Sequence, residues 1–503
     1  MNKRDARGRS MTRLLSDFGH ELPSTAPDEG LAAESRLFRH APRRGEFRTN
    51  RGWSPAGAPV AAWRMTSDQA PVLWPWIATP GLPPTGAQMG IDHLSGGTFY
   101  ADPIGWVLDD TIPVTNPNIF SFGKPGRGKS ATTKAFCLRM MDFGYRTLIL
   151  GDPKDEYESL CRAFGVEPFA IGHGLAARIN PLAIGPLGQG WDQLSAEAAQ
   201  GRAAVVFARW LTLIRGLVGS QHIGDQRVPF GPTEEAVVKL ALGILTGYFA
   251  GSSVLRETTI PKLWHLLDQP TSELIREARY EDTRHFLDET RLLRDALGQL
   301  VSGALAGLFD DHTTIEVDWA APIQSLSLSR LEPLGDEAIG IALTCLNSWG
   351  RGMRELAPKG DLRIVVRDES WKQLRLGPEA VKSFDSDLRL SRHDGDVQFA
   401  IAHKPSDMFS AGDTGSQAQA IAKDLLHLAD IKILHGQDLG VARELEQMLG
   451  LSPIARDIVT SWAMQGKGRA LWCVGDQQYK VETMLHPVER QLTYTNEAIA
   501  SAL

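Results

Sequence analysis

Short unbroken apolar runs recur along this chain, separated by longer stretches in which apolar residues return every three or four positions. The run Asn118-Ile119-Phe120-Ser121-Phe122 predicts a buried strand, and Ala131 to Phe143 behind it predicts a helix stopped by Gly144. Gly90-Ile91-Asp92 and Thr98 to Asp102 read as strands around the turn signal Gly96-Gly97. Thr147-Leu148-Ile149-Leu150 is a further apolar strand. Between 186 and 307 the period changes to helical, over Ala196 to Leu217, Thr233 to Phe249, Ile260 to Leu267, Thr271 to Arg279 and Thr290 to Leu305. Strand patterns return at Ile323 to Ser329, Arg363 to Val366, Val397 to Ala402 and Ile431 to Leu434. Strands alternating with helices predict an α/β fold, a parallel sheet with helices on both faces. The expected organisation is an N-terminal arm over 1–85, a first core segment over 86–185, an all-helical insertion over 186–307 and a second core segment over 308–503. No internal repeat of solenoid type is present.

With 503 residues, the chain is long enough for a large core plus an insertion. No apolar run reaches membrane-span length, because Val237 to Ala250 is short and interrupted by Lys239. Met1-Asn2-Lys3-Arg4-Asp5 leads into no hydrophobic segment, so no signal peptide is expected. Cys137, Cys161, Cys345 and Cys473 lack metal-ligand spacing, which suits a reducing cytoplasm. A net charge of −7 argues against a whole-surface nucleic-acid footprint, leaving only a local basic pore for DNA. The arm, rich in Arg, Pro, Gly and Ala, is expected to be mobile. Its Arg39, Arg43, Arg44 and Arg48 read either as a docking or nucleic-acid patch or, preferably, as a solvated basic run.

The chemistry concentrates at Gly123-Lys124-Pro125-Gly126-Arg127-Gly128-Lys129-Ser130, continued by Ala131, a Walker A loop between a strand and a helix. Its glycines let backbone N–H groups curl around phosphate oxygens, and the helix N-terminus favours negative charge. Lys129 would reach the β- and γ-phosphates of ATP and Ser130 would ligate Mg²⁺. Leu362 to Glu369 has the form of a Walker B strand: Asp368 would hold Mg²⁺ through its water shell and Glu369 would orient or deprotonate the attacking water. Arg363 and Arg367 are unusual in such a strand, which otherwise reads as an apolar run. Asp152, Lys154 and Glu156 follow another apolar strand, either facing a γ-phosphate or forming a charged turn into a helix. Arg389 and Arg392, three residues apart, share a helix face, which reads as a solvated face with Asp385 and Asp387 as partners, or as the source of an arginine finger for a neighbouring subunit. His403 ends the Val397 to Ala402 strand, where a polar group would touch a γ-phosphate or act structurally.

In order and spacing these segments resemble the HerA/FtsK-type branch of phosphate-loop ATPases, most of all the conjugation and type IV secretion ATPases of the VirB/TraC kind (the fourth VirB component). The match runs from Met89 to the C-terminus. It includes Gly90-Ile91-Asp92, Asn118-Ile119, Asp152 to Tyr157, Arg178 to Leu182 and Leu308-Phe309-Asp310. It continues through Asp368-Glu369-Ser370-Trp371, Leu388 to His393, Pro405-Ser406-Asp407 and Pro487 to Tyr494. The resemblance implies a RecA-like core, a hexameric ring hydrolysing ATP at subunit interfaces, and Arg392, or else Arg389, as the finger. It also implies a motor that energises assembly or substrate transfer, docked to secretion-channel or other membrane-complex proteins at the inner face of the cell membrane. A DNA-translocating motor or coupling protein of the same superfamily, and a nucleotide-binding scaffold without turnover, are the alternatives. Three departures stand out: His403 where the family usually has Gln, Arg367 for an apolar residue, and a short N-terminal region where the family usually carries a long domain.

Overall fold

An aromatic-rich run, Ile119–Phe122, forms β3 near the middle of an eleven-stranded sheet and is buried along its whole length. The computed structural model describes residues 81–494, apart from 153, 173–174, 176, 189, 224–225, 251–253, 304, 315–320, 357–359, 369–373, 375–377 and 407–423. Almost all of the proposed arm, with its arginines, lies outside the described residues.

The strands are β1 (Ala87–Asp92), β2 (Thr98–Ala101), β3, β4 (Arg146–Asp152), β5 (Phe169–Ala170), β6 (His222–Ile223), β7 (Gln226–Arg227), β8 (Ile323–Ser327), β9 (Arg363–Arg367), β10 (Asp396–Ala402), β11 (Ile431–His435), β12 (Arg469–Val474) and β13 (Gln477–Thr483). The sheet order is β2-β1-β13-β12-β11-β3-β10-β9-β4-β8-β5. From β11 to β5 all neighbours run parallel, with β3 aligned to β10 from Ile119↔Phe399 to Phe122↔Ala402. From β11 to β2 they run antiparallel.

Both faces of the parallel part are covered. Phe136, on the helix Lys129–Met140, packs against Phe399 of β10 at 5.8 Å between ring centres. Phe120 meets Phe384 of the helix Pro378–Asp394 edge-on at 6.3 Å, within a cluster that holds Phe122, Ala400, Leu434 and Leu471. Since Phe399 and Ala400 are consecutive on a strand, they point to opposite faces, so these two helices sandwich β10. A second cluster joins Leu148, Leu150 and Leu326 to Leu343 and Leu346 of the helix Asp336–Leu356 and to helices between β5 and β8.

The chain between β5 and β8 includes the helices Ala196–Gly219, Pro232–Thr246, Ile260–Asp268, Ser272–Glu277, Thr283–Glu289 and Arg291–Ser302, with the two-residue ladder β6–β7 between the first two. The ladder departs from the all-helical pattern read from the sequence, which had also not singled out the helix Thr283–Glu289. The latter is started by Asp282, whose carboxylate accepts the His285 N–H at 2.7 Å.

The structure accounts for the arginines of β9. Arg367 is buried and donates to Asp387 at 2.7 Å, Asn347 at 2.6 Å and Gln398 at 3.1 Å, with its guanidinium 5.1 Å from the Phe384 ring centre. Burial pulls its pKa below the usual arginine value, and Asp387 is the largest opposing influence. Arg351 holds the other oxygen of Asp387 at 2.6 Å. Arg363, at the strand start, pairs with Asp361 at 2.7 Å.

Candidate functional site

The phosphate loop leaves the carboxyl end of β3, where open α/β sheets place their ligands. Gly128 caps the helix Lys129–Met140 at φ 97°, and a Cβ there would come within 2.6 Å of the Gly468 nitrogen. That nitrogen donates to the Arg127 carbonyl at 3.0 Å, so the loop is tied to the turn ahead of β12. Gly123 sits directly on His435, where a Cβ would approach the histidine Cβ to 2.6 Å. Burial, and then Lys129, pull the His435 pKa down to about 3, leaving the ring neutral beneath the loop.

Lys129 is buried and donates to the Gly123 carbonyl at 2.5 Å and the Lys124 carbonyl at 3.3 Å. Its ammonium lies 3.3 Å from His403 Nδ1. An ammonium can only donate, so Nδ1 is the accepting side of this contact. Gln437 donates to the His403 carbonyl at 2.6 Å, which anchors the end of β10.

Around this point lies a cleft of about 930 Å³, lined by Pro125, Gly126, Gly128, Lys129, Ser130 and Ala131 of the loop. Asp368, at the end of β9, and His403 line it too, as do Lys154 and Glu156. Asp152 does not reach it. It is fully buried, and its carboxylate accepts the N–H groups of Glu156 at 3.0 Å and Tyr157 at 2.8 Å, which shapes the turn that presents Lys154 and Glu156. Burial pushes its pKa up to about 6 despite those bonds. Lys134, buried one helical stretch beyond Lys129, has its pKa pulled down by burial and held up by Glu156, Asp152 and Asp368.

Of the other loop residues, Lys124 turns to Asp438 at 2.7 Å and Arg127 donates to the Met464 carbonyl at 2.7 Å. Glu369 lies outside the described residues. Arg389 is exposed and pairs with Asp385 at 2.9 Å, whereas Asp387 serves Arg367 and Arg351. Arg392 is exposed as well. Both sit at the end of the helix Pro378–Asp394, which leads into the start of β10. His403 follows the other end of β10, about 20 Å away for seven residues of strand. Neither arginine lines the cleft, and the distance is more than an arginine side chain spans. The helix end itself is pinned, because Asn118 donates to the Leu388 carbonyl at 2.8 Å and Ser391 donates to the Asn116 side-chain oxygen at 2.9 Å.

Sequence reasoning assigned no role to the second wall of the cleft, made by Ile91, His93, Lys467, Gly468, Glu482 to Leu485, Arg490, Thr493 and Tyr494. The nearest signals were Gly90-Ile91-Asp92, read as a strand, and Pro487 to Tyr494, quoted as part of the family likeness.

The residues fit a nucleotide with Mg²⁺. The cleft volume is that of a small-molecule site, and a Cβ at Gly128 would fill the cradle. Ser130 and Asp368 line it together with hard oxygen donors of the kind Mg²⁺ takes. Among the described residues, no group of three or more His, Cys, Asp or Glu side chains could hold a metal alone, so phosphates and water would complete the shell. When bound there, Mg²⁺ supplies neutralisation of phosphate charge. Among the described residues, no helix is long and apolar enough to cross a membrane.

No protein-family model matches the chain, and no curated protein matches it. Solved structures do. VirB4 of Thermoanaerobacter pseudethanolicus aligns with a TM-score of 0.63 over 82% of this chain and 99% of its own, at 20% sequence identity. Plasmid coupling protein TrwB in complex with ADP and Mg²⁺ aligns with a TM-score of 0.51 over 82% of this chain and 93% of its own, at 12% identity. TrwB in complex with the non-hydrolysable GTP analogue GDPNP gives 0.51 over 80% and 91%, at 11% identity. The fold is therefore the RecA-like α/β architecture shared with VirB4 and TrwB, the fold that the sequence resemblance implied.

Proposed function

We propose that the chain is an Mg²⁺-dependent ATPase that energises assembly or substrate transfer in a conjugative type IV secretion system. The observation that carries the reading is the meeting of Lys129, Ser130, Asp368 and His403 in one cleft at the carboxyl ends of three adjacent parallel strands. In this reading the loop from Gly123 to Ala131 holds the phosphates, with Lys129 on the β- and γ-oxygens. Ser130 and Asp368 hold Mg²⁺, and Glu369 orients the attacking water. His403, pressed against Lys129, is positioned to register the loss of the γ-phosphate. The chain works as a hexameric ring, Arg392 or Arg389 entering the neighbour's cleft, and docks peripherally on the membrane through secretion-channel proteins. What supports a role in trans is that the arginines stand at the amino ends of the parallel strands, opposite the carboxyl ends that carry their own cleft.

The test is phosphate release from ATP with and without Mg²⁺, in the native chain and in Lys129→Ala and Glu369→Gln. Turnover should require Mg²⁺ and vanish in both variants; turnover retained in both sinks the assignment. A coupling protein or DNA motor would instead show turnover strongly stimulated by DNA, and a scaffold would bind ATP without releasing phosphate.

A further inference from the structure

The apolar stripe of the helix Pro378–Asp394 breaks off in its last turn. Val381, Phe384 and Leu388 are buried at helical spacing, and the next position on that face is Ser391, polar yet only 1% exposed. Facing it, Asn118 is fully buried immediately before the buried run of β3. Apolar side chains at these two positions would close the junction by packing alone.

Directed bonds close it instead. Three side-chain donors converge on the Leu388 carbonyl: Ser391 Oγ at 2.7 Å, Asn118 Nδ2 at 2.8 Å and Asn116 Nδ2 at 3.1 Å. Ser391 divides its hydroxyl proton between that carbonyl and Asn116 Oδ1 at 2.9 Å. Asn118 also donates to the Leu428 carbonyl at 3.1 Å. The segment that carries both asparagines is fixed in turn to the start of β11. One oxygen of Asp430 accepts the Thr115 N–H at 2.6 Å, the Thr115 hydroxyl at 2.8 Å and the Asn116 N–H at 2.9 Å. Asn118 Oδ1 is buried with no hydrogen-bond partner among the described residues, so stability alone does not explain an amide at this position. What the anchor holds still is an exposed surface: Arg389 follows the clamped carbonyl, and Leu390, Arg392 and His393 are exposed beside it. Apolar packing lets a helical turn rotate or slide slightly, whereas a satisfied set of directional bonds fixes it.

We infer that Asn118 and Ser391 are positioning residues for an arginine finger: they set the rotation of this last turn and so the direction in which Arg392 leaves the subunit. The inference rests on the reading of Arg392, or else Arg389, as a finger in trans. A finger works by placing its guanidinium on charge that develops in the transferred phosphoryl group, and a misplacement of about 1 Å costs roughly 10²-fold in rate. Asn118 also starts the strand that ends in the subunit's own phosphate loop, so one residue ties that loop to the finger offered to the next site.

The experiment measures turnover per folded molecule and ATP affinity in Asn118→Ala and Ser391→Ala, each alone and mixed with Glu369→Gln subunits. Turnover should fall about 10²-fold in Asn118→Ala and about tenfold in Ser391→Ala, with ATP affinity within about twofold of the native chain. Mixing either variant with Glu369→Gln should restore part of the turnover, because an intact finger then meets an intact Glu369. A merely structural defect is not repaired by mixing. Should Asn118→Ala fail to fold, Ser391→Ala carries the same test. Native turnover in the folded variants, or ATP affinity falling in step with turnover, overturns the inference. Silent mixtures of these variants, where Arg392→Ala or Arg389→Ala mixtures revive, also overturn it and leave the finger reading standing. Silence of all assembled mixtures overturns both.

Discussion

Replacing Arg367 with methionine asks whether the charge at the end of β9 serves the fold or the site. Methionine keeps an unbranched stem and removes the guanidinium, so Asn347, Gln398 and Asp387 lose donors at 2.6, 3.1 and 2.7 Å. Breaking one side of a buried ion pair costs roughly 3–5 kcal/mol. Asp387 keeps Arg351 at 2.6 Å, which sets the expected loss near the lower end, about 3 kcal/mol. In a chain of this size, a thermal melt followed by circular dichroism should then shift down by roughly 5 °C. ATP turnover per folded molecule should not change. The double variant Arg367→Met/Asp387→Leu leaves Arg351 half-exposed to water, so its loss should be smaller than the sum of the two single losses by about 1–3 kcal/mol. Turnover abolished with an unchanged melt, or strictly additive single losses, would refute the structural role.

If Arg392 completes a neighbour's site, Arg392→Ala should lower turnover by about 10³–10⁵ while each subunit still binds ATP. Mixing Arg392→Ala with Glu369→Gln subunits should restore part of the activity; assembled mixtures that stay inactive, for Arg392 and for Arg389 alike, refute a finger in trans. Burial raises the Asp152 pKa to about 6 in the fold, against an ordinary aspartate value of 3.8, so its effect on stability falls as pH rises through that window and is level above it. The span corresponds to about 3 kcal/mol, so Asp152→Asn should lack that part of the loss between pH 4 and 7 in melts compared with the native chain. Equal pH dependence in both would show that Asp152 is ionised normally. Gly128→Ala should abolish nucleotide binding in a calorimetric titration, since φ 97° and the approach of Gly468 leave no room for a methyl group. Binding retained at native affinity would mean that the loop tolerates rearrangement.

The parallel core was readable because its strands are buried on both faces and its apolar runs are unbroken, as in β3 and in Leu148 to Leu150 of β4. In β9 the same logic faltered at Arg363 and Arg367, whose carboxylate partners come from Asp361 and from a helix that begins at Pro378. The β12–β13 hairpin escaped notice for a different reason. β13 alternates Gln477, Gln478, Lys480 and Glu482 with Tyr479 and Val481, a half-buried antiparallel pattern that is quiet beside the parallel runs. The loop's position between a strand and a helix was legible from local sequence. The far wall was not, because its residues acquire meaning only by contact with a segment distant in the chain.

That separation has a temporal side. Arg127 and Met464, which share a hydrogen bond beside the cleft's loop, stand 337 positions apart. Synthesis proceeds from the N-terminus, so a ribosome-bound chain that has already made its phosphate loop still lacks the hairpin against which that loop closes. The cleft can assume its final shape only once the segment through Tyr494 has emerged and its longest-range contacts have formed, the slow kind of contact in folding. Ligand capture is thereby deferred until the hairpin and the segment behind it have been made, and a product truncated before them would carry the loop's full sequence without the pocket.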